Sequence, residues 1–213
     1  MSEQLPSEKI MLAAVRHAMF DGWTHKIIAM GAHDAGFDEA AGAVAFPGGI
    51  NDLIGEFSRW ADDEMVDALE ARDLSGLKVR ERVALAVRTR LEILAPYREA
   101  VRRLNSHFTL PGNAVMATKL VGETVSAVWY AVGDTSTNFS YYTKRGLLAA
   151  VYGATVLYWL ADESDGHEGT WAFLDRRLAD VMNIPKARVQ IGRVLSRVPN
   201  PLRVARLMRR RVI

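Results

Sequence analysis

The run at 146–160 constrains this chain most. It reads Gly-Leu-Leu-Ala-Ala-Val-Tyr-Gly-Ala-Thr-Val-Leu-Tyr-Trp-Leu and carries no charge. It is too short to span a bilayer, which needs about 20 residues. It also lacks the period-2 alternation of a half-buried strand. The spacing predicts a helix buried on all sides within a helical domain. Gly146, Ala149, Ala150, Gly153 and Ala154 are small enough to leave room for a cavity beside it.

The rest of the chain reads as helices too. Residues 7–21 put Ile10, Ala13, Ala14, His17 and Ala18 at helical spacing, with Ser7 as N-cap and Gly22 as stop. A second helix at 24–35 is capped by Thr24 and ended by Gly36, and a third at 38–45 is capped by Asp38. A longer amphipathic helix at 51–72 follows, then one at 79–94. Pro96 interrupts that one before it resumes through Leu104. Pro111-Gly112 opens a helix to Val132, and helices at 141–160 and 170–182 complete the set. No segment alternates as a strand would. The expectation is an all-α protein of about nine or ten helices, divided as 1–50, 51–184 and 185–213.

A chain of 213 residues, 49% hydrophobic, can bury a sizeable core. The absence of cysteine excludes disulfides and thiolate metal sites. The first eight residues are short and polar, without a signal or transit pattern, so a cytosolic start is the simple expectation. The net charge of +2 conceals an asymmetry. Nine of the 27 basic residues and none of the 25 acids lie in 186–213, which leaves 18 basic against 25 acidic in the body. A basic tail on an acidic body suggests an anionic partner for the tail.

Three short helices ending in Phe46-Pro47-Gly48 resemble the N-terminal unit of the tetracycline-repressor (TetR) fold, whose second and third helices form a helix-turn-helix. A DNA-reading helix needs side chains that reach phosphates and base edges. Here the third reads Glu39-Ala-Ala-Gly-Ala-Val-Ala45, and Lys26 is the only Lys or Arg from Thr24 to Gly49. The helix-turn-helix is degenerate and no nucleic-acid partner is expected of it.

No catalytic motif appears. None of the five histidines lies three residues after a Glu, which removes the usual di-iron ligand pattern of helical bundles. There is no Gly-x-Ser-x-Gly, phosphate loop or dinucleotide fingerprint. No catalytic residue, metal or cofactor is assigned. The adjacent Tyr141 and Tyr142 point about 100° apart on a helix, so at least one lies near the surface. Beside Lys144 and Arg145 they suit a protein interface.

Asp134-Thr-Ser-Thr-Asn-Phe-Ser-Tyr-Tyr-Thr-Lys-Arg145 resembles the Asp-x-Ser-Thr-Asp-x-x-Trp-Tyr-Thr-Lys-Arg signature of the coenzyme Q (ubiquinone) biosynthesis accessory proteins known as Coq-nine. Thr170-Trp-Ala-Phe-Leu-Asp-Arg-Arg-Leu178 resembles that family's second signature. Asn138 stands where the family usually has Asp, and Tyr141 where mitochondrial members have Trp. The resemblance implies a TetR-like fold that has abandoned DNA, encloses an isoprenoid lipid or ubiquinone intermediate, and presents it to a quinone-pathway hydroxylase without catalysing the reaction. It places the partner-binding patch on Val128, Trp129, Tyr141 and Tyr142, and a membrane-binding helix after Pro185. A homodimer follows only by analogy with TetR-like folds.

The pocket is expected between helix 146–160 and its neighbours at 112–132 and 171–182. Val121, Val125, Leu148, Val151, Tyr152, Thr155, Trp159 and Phe173 are the expected lipid-binding residues. Two other readings stay open: a TetR-like ligand-responsive transcriptional regulator whose basic tail binds nucleic acid, and a scaffold with no ligand. Extraction of the purified protein and mass spectrometry discriminates among them.

Wound at 100° per residue from Pro185, the tail gathers Ala187, Ile191, Val194, Leu195 and Val198 in an arc of about 100°, with Lys186, Arg193 and Arg197 together near the opposite edge. Five further arginines follow in 202–212. A basic amphipathic helix reads as an element lying on an anionic membrane surface, here the inner face of the cell membrane. Each basic residue there contributes about 1 kcal/mol. Co-sedimentation with anionic vesicles is therefore expected, with loss at high salt and on deleting 186–213. Tight binding by the truncated chain would refute this.

Overall fold

The structure, a computed structural model, describes residues 6–110, 112–134 and 139–195, with the side chains of 139–141 and 182–195 left aside. Among the described residues it is all-α. The N-terminal unit comprises α1 (Pro6–Asp21), α2 (Lys26–Asp34) and α3 (Glu39–Ala45). A larger body follows: α4 (Ile50–Glu70), α5 (Val79–Leu94), α6 (Arg98–Phe108), α7 (Ala114–Ala131), α8 (Phe139–Ala161) and α9 (Glu168–Leu195). Short 3-10 turns at Ala95–Tyr97 and Asp165–His167 precede α6 and α9.

Local chemistry explains several boundaries. The Asp38 carboxylate accepts from the Ala41 N–H at 2.8 Å and caps α3. Gly36, at φ +82°, provides the left-handed residue that ends α2. Glu81 reaches back to the Lys78 N–H at 2.8 Å, which starts α5 at Val79. The expected Thr24 cap is not found: α2 begins at Lys26 behind His25, which makes no side-chain cap bond.

The N-terminal unit is close-packed. A Cβ on Gly31 would lie 2.6 Å from both the Cβ and backbone N of Ala14, so α1 and α2 can cross this closely only with glycine there. His17 of α1 bonds Asp34 of α2 at 2.7 Å. The unit is tied to the body by Trp23, whose indole N–H donates to the Ala100 carbonyl of α6 at 2.9 Å. Phe57 of α4 centres an aromatic cluster with Trp23, Trp60 and Tyr97, at centroid distances of 5.7–5.9 Å.

In the body, α4 packs on α5 and α7, and α8 packs between α7 and α9, which also touches α5. Two expectations change. Helix α8 is not buried all round: Gly146 and Ala150 are exposed and Leu157 is 62% exposed, all on one stripe. Helix α9 runs through Pro185 to Leu195 where a break was expected. A proline removes one backbone hydrogen bond from a helix interior, and the flanking ones can carry the helix on. Of the expected membrane-binding residues, Lys186, Ile191, Arg193, Val194 and Leu195 belong to α9 by backbone, with side chains not described. Arg197 and Val198 lie outside the described residues. No described helix is long and apolar enough to cross a membrane.

The turn from α8 to α9 is organised by Asp162. Its carboxylate accepts from Ser164 N at 2.9 Å and from Thr170 N and Oγ1 at 2.7 and 2.6 Å. Hydrogen bonds from Ser164 and then Thr170 hold it well below the usual carboxylate range. A carboxyl depressed in the folded state contributes stability that is fully present above its unfolded value near 3.9 and is lost as pH falls through the folded one. Asp162→Asn should therefore lower Tm at pH 7 by about 2–4 °C, the scale of a lost helix cap in a chain this long. It should also flatten the decline of Tm below about pH 4, measured by thermal melts across pH.

Candidate functional site

Four helices of the body converge on one buried ion pair. Arg90 lies on the inward face of α5 with its side chain 5% exposed. Its Nε donates to Asp62 Oδ1 of α4 at 2.6 Å, its Nη1 to the Tyr152 hydroxyl of α8 at 2.5 Å, and its Nη2 to the Ser58 hydroxyl of α4 at 3.1 Å. Thr124 of α7 donates to the other Asp62 oxygen at 3.2 Å. Burial pushes the Asp62 carboxyl up against the pull of Arg90, and pushes the Tyr152 hydroxyl up, so that it stays protonated at neutral pH.

Beside this network lies a cavity of about 190 Å³. Ser58, Arg90, Thr124 and Tyr152 form its polar wall, and Phe57, Leu91, Leu94, Leu104, Leu120 and Val156 are among its apolar lining. The polar end is deep, since Arg90, Thr124 and Tyr152 are all buried. Asn105, Phe108, Ala117 and Val121, from α6 and α7, also line it and are only half-buried, so that side opens outward. Gly153 is part of the wall, and a Cβ placed on it meets nothing within 4 Å.

Of the expected lipid-binding residues, Val121 and Tyr152 line this cavity. Val125, Leu148, Val151, Thr155, Trp159 and Phe173 do not. At 100° per residue, Tyr152, Val156 and Gly153 share an arc of about 100° on α8, while Leu148, Val151, Thr155 and Trp159 fill the next arc of about 80°. That second arc is packed core: Thr155 is fully buried with its hydroxyl turned back to the Val151 carbonyl, and Trp159 is fully buried beneath Arg98. Val125 is buried on α7, and Phe173 stacks on Tyr158 at 4.7 Å, away from the cavity. Among the described residues α9 contributes nothing to the lining, which comes instead from α4 to α8.

The expected partner patch also changes. Val128 and Trp129 are 1% and 6% exposed, because 121, 124, 125, 128, 129 and 132 form the inward face of α7. Lys144 covers the Trp129 ring at 5.3 Å and reaches Asp134 Oδ1 at 2.8 Å, so the ends of the first signature clasp α8 to α7. The outward aromatics are Tyr130, 69% exposed, and Tyr142, 74% exposed. The Tyr141 side chain lies outside those described. In the second signature, Thr170 is the residue anchored on Asp162, and the Trp171 indole donates to the Gly166 carbonyl at 2.8 Å.

Ser58, Asp62, Arg90 and Thr124 were not among the residues expected from sequence. A signal existed: Asp62 follows Ala61 within the apolar stripe Ile54, Phe57, Ala61, Met65, and Arg90 stands within Val83, Ala86, Val87, Leu91, Leu94. An acid on one core stripe and a base on the next invite pairing. Among the described residues, no three His, Asp or Glu converge in a way that could hold a metal ion.

The COQ9 family model matches residues 114–185, which cover both signatures. The mitochondrial ubiquinone biosynthesis protein COQ9 of Homo sapiens is 33% identical over 197 residues, covering 89% of this chain and 62% of that protein. COQ9-B of Xenopus laevis is 30% identical over 198 residues, covering 90% of this chain and 67% of that one. The chain thus spans about three fifths of the length of the mammalian relatives it matches. The crystal structure of a TetR transcriptional regulator from Nitrosomonas europaea superposes with a TM-score of 0.67 at 22% identity, over 83% of this chain and 97% of that one. This likeness establishes the TetR-like fold.

Removing one partner of a buried ion pair strands the other and costs about 3–5 kcal/mol, whereas replacing both by apolar groups is often neutral. Asp62→Leu and Arg90→Met should each destabilise by that order, and the double variant by much less than their sum, in a denaturant-unfolding cycle.

Proposed function

The chain belongs to the COQ9 family, and from that membership we propose that it serves ubiquinone biosynthesis as an accessory protein. It binds an isoprenoid quinone intermediate, collects it at an anionic membrane surface through the basic tail, and presents it to a hydroxylase. The protein delivers the lipid; the partner enzyme performs the chemistry.

The observation that carries this reading is the cavity among α4 to α8, apolar over most of its wall and opening beside α6 and α7. A cavity of about 150 Å³ takes a benzene ring. The space here, about 190 Å³, suits one ring or a short piece of chain, so most of a polyprenyl tail must extend outside. Among the described residues, Tyr130 and Tyr142 are the exposed aromatics near the first signature and offer the contact for a partner protein.

The former DNA-reading surface supports the same reading over a regulator. Helix α3 exposes Glu39, Ala40, Ala43 and Val44, the last at 81%. None of these can donate to a phosphate or a base edge.

Organic extraction of the purified protein should yield a quinone or its polyprenylated precursor by mass spectrometry. Gly153→Trp fills the open wall, and should cut lipid occupancy at least several-fold while circular dichroism and Tm change little. Undiminished lipid in a folded Gly153→Trp protein would exclude this cavity as the lipid site.

A further inference from the structure

We infer that the turn joining α6 to α7 is a second membrane contact, which enters the interface of an anionic bilayer and turns the mouth of the cavity toward the lipid. This rests on the lipid-carrier reading above. It adds a surface distinct from the basic tail and fixes which way the body faces.

Exposure marks the tip. Leu110 is 53% exposed and Val115 is 79% exposed. Ala114 is exposed beside them, and Phe108 and Met116 are half-buried behind. Phe108 and Ala117, which flank the tip in sequence, line the cavity, so the apolar tip adjoins its open side.

The polar groups of the turn are bonded to the turn itself. The Asn105 amide donates to the Val101 carbonyl at 3.3 Å and the Ser106 hydroxyl to the Arg102 carbonyl at 3.4 Å. Thr109 donates to the Ser106 carbonyl at 2.7 Å, Asn113 to the His107 carbonyl at 3.0 Å, and Thr118 to the Ala114 carbonyl at 2.8 Å. The backbone closes on itself as well: the Leu110 N–H donates to the His107 carbonyl and the Asn113 N–H to the Leu110 carbonyl, both at 3.2 Å. Gly112, at φ +97°, supplies the left-handed residue in the reversal. A polar group taken out of water without a partner is costly, and lipid tolerates only backbone that is bonded within the protein. This turn has met that cost in advance and presents carbon outward.

Charge names the surface. From Ala100 to Gly122 the chain carries Arg102, Arg103 and Lys119 and no acid, in a body where acids outnumber bases. Lys119 stands one turn beyond Val115 on the same side of α7. It is 69% exposed, and its 3.7 Å contact with Glu123 is a surface pair that an anionic headgroup can replace. Apolar side chains at a tip, with a base one turn behind and no acid nearby in the chain, suit the headgroup boundary of an anionic bilayer. The tail then supplies attraction and the tip supplies orientation, so lipid passes from bilayer to cavity without crossing water.

The absence of native cysteine lets one introduced residue carry a fluorescent label alone. Full-length Val115→Cys, labelled with nitrobenzoxadiazole, is mixed with phosphatidylcholine vesicles containing about one third phosphatidylserine. Emission should shift to the blue and rise at least about threefold, and a nitroxide on the lipid chains should quench it. The same label at Val44→Cys, on the equally exposed residue of α3, should not respond. Leu110→Asp combined with Val115→Asp should weaken vesicle co-sedimentation about tenfold with circular dichroism unchanged, since both side chains are exposed. Co-sedimentation of the full chain with no response at 115, or with an equal response at 44, overturns the tip and leaves the role of the tail standing. Undiminished binding by the double variant does the same. No co-sedimentation at all overturns the tip and the membrane reading together. A response that grows with protein concentration in the absence of vesicles gives the tip to a second copy of the chain and overturns the inference.

Discussion

The ion pair between Arg90 and Asp62 is the interaction on which the body depends. Moving two charges out of water is unfavourable unless their hydrogen bonds are completed. Here completion draws on three neighbouring helices: α4 supplies Asp62 and Ser58, α7 supplies Thr124, and α8 supplies Tyr152. Each helix is therefore held at the distance its polar group requires. The guanidinium has three partner residues, Asp62, Ser58 and Tyr152, and Thr124 joins through Asp62. The cavity lies against that centre, with Arg90 in its wall. The ion-pair network and the cavity thus share side chains.

The same centre is linked to the N-terminal unit through Phe57. That ring meets Trp23, Trp60 and Tyr97, and the residue also lines the cavity. The three-helix unit, close-packed at Gly31, is thus tied to the body through Trp23. The outward face of α3 carries Glu39, Ala40, Ala43 and Val44, with no basic side chain.

Much of this fold was legible in the sequence. The limits of α5, the Asp38 cap and the stop at Gly36 follow from local chemistry that acts within a few residues. The two signatures identified the family, yet their best-resolved contacts are structural: Lys144 to Asp134 and Thr170 to Asp162. The cavity wall was read less well. A helix apolar on every face, like α8, has no pattern saying which face meets a void, so Leu148, Val151, Thr155 and Trp159 could not be told from Tyr152, Gly153 and Val156. Trp129 and Tyr130 posed the same difficulty, and the inward side of α7 took Trp129. Arg90 was overlooked because α5 interleaves charges throughout, and only its partner on α4 distinguishes it from a solvated arginine.

A cancelled pair of charges also affects kinetics. At physiological ionic strength fields are screened over about 8 Å, and a buried dipole fades faster still with distance. The cavity therefore cannot draw a ligand from afar, and entry proceeds at the unsteered rates of neutral encounters. For a molecule entering such a space, affinity is then set by how long it stays and varies little with salt.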